Sequence, residues 1–128
     1  MIITAWNIRG LNRSDKQKEV YKLIVNNRID IIGIVETKVK RGKEVDIHKN
    51  MLPNWELITN SNSDEFNRIW VAWNPNTIKV SLLKESRQII HLNAFDTQQN
   101  KHFLITYVYG LNISTERREL WNDLYHIA

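Results

Sequence analysis

Ile29-Asp30-Ile31-Ile32-Gly33-Ile34-Val35, followed at once by Glu36-Thr37-Lys38, is the stretch that decides the fold. Apart from Asp30 it is a continuous apolar run. Such a run lacks the in-out alternation of a strand with one wet face, so it reads as a central strand covered on both sides. Ile69-Trp70-Val71-Ala72-Trp73 reads the same way and is ended by the turn Asn74-Pro75-Asn76. Phe103 to Tyr109 is expected as a third central strand.

Around these, Ile2 to Asn7 reads as a strand. Ser14, with Gln17 three residues on, forms a capping-box pattern, and Val20, Leu23 and Ile24 follow at helical spacing. A helix is therefore expected from Asp15 to about Asn27. Glu44 to Leu52 reads as a short helix stopped before Pro53. Trp55 to Thr59 is an expected strand and Asn60 to Asn67 a polar loop. Ile78 to Leu83 and Gln88 to Phe95 read as antiparallel strands joined near Glu85-Ser86. Ser114 is expected to cap a last helix with Leu120, Trp121, Leu124 and Ile127 on one stripe. Strand, helix, strand, helix, several strands and a helix make a mixed α/β layer structure. Three two-sided strands with only three helices leave one sheet face without a partner. The expectation is a larger sandwich whose second sheet comes from residues outside this chain.

The 128 residues are enough for one domain, expected to span 1–128, with a real core. No apolar run reaches the ~18 residues of a membrane span. The start, Met-Ile-Ile-Thr-Ala-Trp-Asn, lacks the basic region and apolar core of a secretory signal. With no cysteine there is no disulfide and no thiolate metal site. The expected location is nuclear or cytoplasmic, not secreted. A net charge of +4 permits nucleic acid as a partner without demanding it. Lys38, Lys40, Arg41 and Lys43 form the densest basic run, read either as a solvated loop or as a phosphate-facing rim.

Several strand ends carry chemistry. Glu36 is a carboxylate that can anchor a hard ion such as Mg²⁺. Asn7 can orient a water, a carboxylate or a phosphate oxygen, or satisfy local backbone groups. Tyr109 and Asn112 can hydrogen-bond phosphate. Arg117 and Arg118, in the first turn of the last helix, oppose its dipole and suit bidentate phosphate contact. His48, His91, His102 and His126 have no metal-ligand spacing and read as surface or core residues.

Trp6-Asn7-Ile8-Arg9-Gly10-Leu11, then Glu36-Thr37-Lys38, then Val108-Tyr109-Gly110-Leu111-Asn112 resembles the endonuclease/exonuclease/phosphatase superfamily. Trp70-Val71-Ala72-Trp73-Asn74-Pro75 and the run from Tyr109 to Trp121 look like the endonuclease domain of plant LINE-type non-LTR retrotransposons. The resemblance covers nearly the whole chain. It implies a four-layer α/β sandwich, of which this chain is roughly the first half. It implies Mg²⁺-assisted hydrolysis of a phosphodiester, nicking DNA to prime reverse transcription, in an element that also carries a reverse transcriptase. Carried over by motif, Glu36 binds metal, Asn7 supports the metal and phosphate network, and Tyr109 and Asn112 contact phosphate. Lys38, Lys40, Arg41 and Arg117 are the expected DNA-backbone contacts.

The chain departs from the family pattern. Arg9 stands where many members carry an acid, and Gly110-Leu111 replaces a proline-containing form. No Gly-Asp-x-Asn motif and no Asp-His pair occurs. The expectation is a truncated endonuclease domain with no useful catalytic rate. The alternatives are a non-catalytic module that binds the DNA backbone, a functionless remnant, or a small-molecule phosphatase of the same superfamily.

Overall fold

In the computed structural model, residues 1–60, 66–111 and 113–127 are described, with the side chains of Phe66 and Asn67 left aside. The elements run β1 (Ile3–Asn7), α1 (Ser14–Asn27), β2 (Ile31–Lys40), α2 (Glu44–Met51), β3 (Glu56–Thr59), β4 (Phe66–Trp73), β5 (Ile78–Glu85), β6 (Ile89–Asp96), β7 (Lys101–Val108) and α3 (Ser114–Ile127). A four-stranded sheet has the order β1-β2-β4-β3, and a three-stranded antiparallel sheet the order β5-β6-β7.

The two apolar runs sit side by side at the middle of the first sheet. β2 and β4 pair antiparallel, with Ile31 opposite Trp73 and Val35 opposite Ile69. Alternate residues serve different cores, as the period of two requires. Ile32, Ile34, Trp70 and Ala72 face the helices and pack with Val20, Ile24, Met51 and Leu52. Ile31, Ile69, Val71 and Trp73 face the second sheet and meet Ile78, Ile90, Leu92, Ala94 and Tyr107. The two-sided reading of both runs is therefore right. α3 is tied along the second sheet by Lys84–Asp123 at 3.1 Å, Arg87–Glu119 at 3.0 Å, and Gln88 Nε2 donating to the Glu116 carbonyl at 2.8 Å.

Several expectations need correction. The second sheet lies within the chain, so the face left without a partner is covered by β5–β7. Phe103 to Tyr109 is not central. β7 pairs only with β6 among the described residues, and its apolar outer residues Leu104 and Val108 are exposed. Apolar side chains on both faces imitated a buried strand. Ser14 starts α1 instead of capping it. Arg13 holds the cap position without a capping hydrogen bond from its side chain, and Gln17 Nε2 donates to the Leu11 carbonyl at 3.0 Å. Ser114 likewise begins α3, where the Ile113 carbonyl accepts from the Glu116 and Arg117 N–H groups. On that helix Leu120 is buried, but Trp121 is exposed.

The sheets are also joined at their open sides. β1 pairs only with β2 among the described residues. Tyr107 on β7 donates its hydroxyl to the Thr4 carbonyl on β1, at 3.3 Å. Burial pushes the Tyr107 phenol well above its ordinary range, so the group stays a donor. At the opposite end of the strands, Asp96 lies 3.6 Å from the Met1 ammonium and accepts from the Gln98 and Gln99 N–H groups.

Candidate functional site

The site forms where β2 breaks its ladder. Val35 pairs with Ile69 and Val39 with Asn67, so three residues of β2 stand opposite Arg68 alone. Such a bulge bends a strand and re-aims its side chains. Here it needs left-handed backbone at Glu36 (φ 58°) and Lys38 (φ 55°), a conformation these residue types rarely adopt. The bulge is held from the other side by the chain after β1. Gly10 N–H donates to the Glu36 carbonyl and Leu11 N–H to the Thr37 carbonyl, each at 2.8 Å. Arg9 (φ 54°) and Gly10 (φ 110°) are left-handed too. Thr37, between the two strained residues, is fully buried and acts as the pin.

The result is a cleft of about 200 Å³ lined by Glu36, Lys38, Arg68 and Tyr109. Lys38 Nζ lies 3.8 Å from Glu36 Oε1. Tyr109 arrives from the second sheet just past β7. Its N–H donates to the Gln88 carbonyl at 2.9 Å, and the Gln88 side chain accepts from the Leu111 N–H at 2.8 Å. Buried Gln88 thus sets the path of the Tyr109 segment and, through Glu116, the start of α3. Arg68 is placed by Asn60, whose Oδ1 accepts from the Arg68 N–H at 3.0 Å and the Ile69 N–H at 2.8 Å.

Lys38 also borders a second groove of about 490 Å³, with Asn12, Lys40, Lys43 and Ile47. Asn12 Nδ2 donates to the Lys38 carbonyl at 2.9 Å. A further groove, lined by Gln17, Lys18, Tyr21, Asn50, Met51 and Pro53, lies on the helical side. Its described lining has Lys18 but no carboxylate to set against it, so chemistry and not size selects the cleft at Glu36.

The structure thus brings Glu36, Lys38 and Tyr109 together and adds Lys40 along the groove. Lys38 and Lys40 belong to β2 itself, not to a loop after it. Asn7 ends β1 opposite Val35, one residue from Glu36 on the ladder. It is exposed, outside the cleft lining, and its side chain makes no hydrogen bond among the described residues. Arg41 is exposed in the turn past β2 and lines neither space. Arg117 is exposed beside Gly110, where an added Cβ would meet its Cδ at 3.8 Å. Asn112 lies outside the described residues.

Sequence reasoning missed Arg68. A signal existed. If the two apolar runs pair antiparallel, the residue before Ile69 must lie beside the residue after Val35, which sets Arg68 against Glu36.

A hard divalent ion gathers several oxygen ligands, carboxylates above all. Among the described residues Glu36 is the one carboxylate lining the cleft, which it shares with Lys38 and Arg68. Among the described residues no three His, Cys, Asp or Glu side chains gather into a possible metal site. The donors among the described residues do not by themselves fit Mg²⁺. Nor is any described helix long and apolar enough to cross a membrane.

No protein-family model matches the chain, and no curated protein matches it in sequence. Solved structures do match in shape. An endonuclease/exonuclease/phosphatase family protein from Bacteroides thetaiotaomicron superposes with a TM-score of 0.66 at 11% identity, over 98% of this chain and 56% of that one. A mannosyl-6-phosphatase from the same organism gives 0.67 at 12% identity, over 98% and 59%. The human Nocturnin catalytic domain with bound sulfate gives 0.55 at 13%, over 95% and 57%. This chain spans less than two thirds of each. Over that span, it has the fold of the endonuclease/exonuclease/phosphatase proteins.

Proposed function

We propose that the chain is the Glu36-bearing half of a retrotransposon-type DNA endonuclease, which binds the phosphodiester backbone and does not cleave it unaided. The observation that carries this reading is the strained bulge that aims Glu36 and Lys38 into one cleft with Arg68 and Tyr109. Backbone strain of this kind costs roughly 1–3 kcal/mol per residue and concentrates at functional sites. The fold is shared with a phosphatase and with a nocturnin domain holding sulfate, so chemistry at phosphoryl or sulfuryl oxygens suits the neighbourhood.

The choice of DNA over a small phosphate ester rests on the second groove. Lys38 joins the cleft to a surface bearing Lys40 and Lys43 and, among the described residues, no acidic lining residue. One phosphate fills the cleft, and the next phosphates of a strand follow the lysines. Cleavage is another matter. Glu36 supplies one carboxylate, so the Mg²⁺ expected from the resemblance requires oxygen ligands beyond those lining this cleft, as does activation of a water.

Binding of a short DNA duplex measured across salt concentrations tests the reading. The logarithm of affinity should fall linearly with that of salt, as expected when lysines and arginines displace counterions. Lys40→Gln with Lys43→Gln should reduce the slope by about two, one for each lysine taken from the phosphates. Binding that ignores salt, or a slope untouched by both substitutions, would contradict it. The competing small-molecule phosphatase predicts turnover of a sugar phosphate and no dependence on Lys40 or Lys43.

A further inference from the structure

We propose that the open side of the sandwich, at the free edge of β7, is the docking site for one β-strand of a partner polypeptide. That strand runs alongside β7 to the rim of the Glu36 cleft. The proposal names a partner for the half-site read above and rests on that reading for its purpose. The surface itself rests on how the two sheets overlap.

The sheets are stacked with an offset. β7 lies over β2, where the Tyr107 ring occupies the space above Gly33. β6 lies against β4, and Ile58 of β3 and Val80 of β5 border the same core. No described strand lies over β1. Its register with β2 puts Ile3, Ala5 and Asn7 on the face of Ile31, Gly33 and Val35, which is the inner one. All three are nonetheless exposed, Ile3 by 42%. Among the described residues the second sheet is one strand narrower than the first, and the uncovered width adjoins β7.

β7 is equipped to pair on that side. Its register with β6 is unbroken from Lys101 to Val108. The Tyr109 N–H donates to the Gln88 carbonyl. The alternation of an antiparallel ladder then turns the Leu104, Thr106 and Val108 N–H groups to the free edge. The edge of β5 is different. It breaks its ladder between Leu82 and Lys84 and carries Lys79 and Lys84. Bulges and lysines blunt an edge, whereas a long regular one accepts a further strand. A second copy does not fit this step, because antiparallel pairing of β7 with β7 would drive β1 of each copy into β2 of the other. A lone strand does fit. Its residues facing Ile3 and Ala5 are apolar, and one end lies beside Asn7 and Tyr109. The solved structures that share this fold are longer than this chain, so the fold admits further polypeptide.

The probe is a short blocked peptide in which valine alternates with threonine between terminal lysines. It is titrated into the whole chain and followed by backbone amide NMR. Shifts are expected at Ile3, Ala5 and Asn7, and slowed hydrogen exchange at Leu104, Thr106 and Val108, with no change along β5. Leu104→Pro removes one edge N–H and keeps the ladder to β6, and an edge strand tolerates proline at such a position. It should weaken peptide binding by about tenfold, through the lost bond and the blocked edge. Ile3→Lys puts a charge under the docked strand and should weaken binding as well. A thermal melt checks that each variant is folded. If Leu104→Pro unfolds, Ile3→Lys decides alone.

Absence of peptide binding, binding along β5, or binding untouched by the substitutions would overturn the proposal. So would a dimer in sedimentation whose contact protects the β7 amides, because a second copy would then be the occupant. The half-site reading fails separately. Salt-dependent DNA binding without peptide binding would sink the docking strand and keep the DNA reading. Peptide binding without DNA binding would do the reverse.

Discussion

Tyr107 occupies the space above Gly33, so that a Cβ built on Gly33 would clash with Cδ1 and Cε1 of the tyrosine ring. The two sheets approach at this point because one residue has no side chain and the other has a flat one. Gly33 is fully enclosed on β2, and Tyr107 is buried on β7. Gly33→Ala must push the sheets apart or turn the ring out, and either breaks the hydroxyl's hydrogen bond to Thr4. Overpacking of this kind costs typically about 1–3 kcal/mol. A calorimetric melt should show Gly33→Ala lowering Tm by several degrees or more, with Tyr107→Leu recovering part of the loss in the double variant. A neutral Gly33→Ala would mean the sheets do not meet there.

Asn60 is the second tie between the sheets. It is buried, accepts from the Arg68 and Ile69 N–H groups, and donates to the Ser86 and Arg87 carbonyls at 3.2 and 2.9 Å. Each such bond contributes about 0.5–1.5 kcal/mol, and a buried partner left unpaired costs more. Asn60→Ala should cost about 2–4 kcal/mol in urea unfolding. It should also weaken phosphate binding, because the Arg68 backbone loses its anchor. A stability loss with unchanged phosphate affinity would show that Arg68 is placed by something else.

Lys38 predicts a trade of stability against binding. A lysine with φ 55° is strained, and glycine takes that conformation freely. Its ion pair with Glu36 is largely exposed on the lysine side, so its loss costs little. Lys38→Gly should leave Tm unchanged or raise it, by up to about 1 kcal/mol of stability. DNA affinity should fall at the same time. A variant that melts well below the parent would mean the left-handed bulge is stabilised by the lysine side chain.

Asp96 predicts a shape for the acid limb of the stability curve. Burial pushes its carboxyl up, but hydrogen bonds from the Gln99 and Gln98 N–H groups and the Met1 ammonium outweigh that and leave it below the ordinary carboxylate range. A folded-state value below the unfolded one stabilises the fold above the unfolded value of about 3.9 and loses that contribution as pH falls through the folded value. Asp96→Asn should therefore be less stable near neutral pH and converge on the parent below about pH 4. Curves that stay parallel down to acid pH would remove Asp96 from the acid response.

The two buried strands were legible because burial on both faces leaves a direct mark, the unbroken apolar runs at Ile31 to Val35 and Ile69 to Trp73. β7 misled because Leu104 and Val108 are apolar yet exposed. Periodicity records side-chain character, not what covers it. The cleft was half legible. Glu36 and Tyr109 announced themselves as polar groups after apolar strands. The bulge did not, because left-handed backbone at a glutamate and a lysine has no sequence signature of the kind glycine or asparagine would give. Without the bulge, Lys38 and Lys40 read as loop residues. Arg68 needed the pairing of β2 with β4, which is a tertiary fact.

The central claim is that this chain holds a phosphate-binding cleft and does not cleave by itself. Supercoiled-plasmid nicking with Mg²⁺, run beside a DNA-binding measurement on the same preparation, tests it most directly. The account predicts salt-dependent binding and no nicking above the protein-free blank. Nicking that disappears with Glu36→Ala would contradict it, because it would mean the one described carboxylate of the cleft is enough for catalysis.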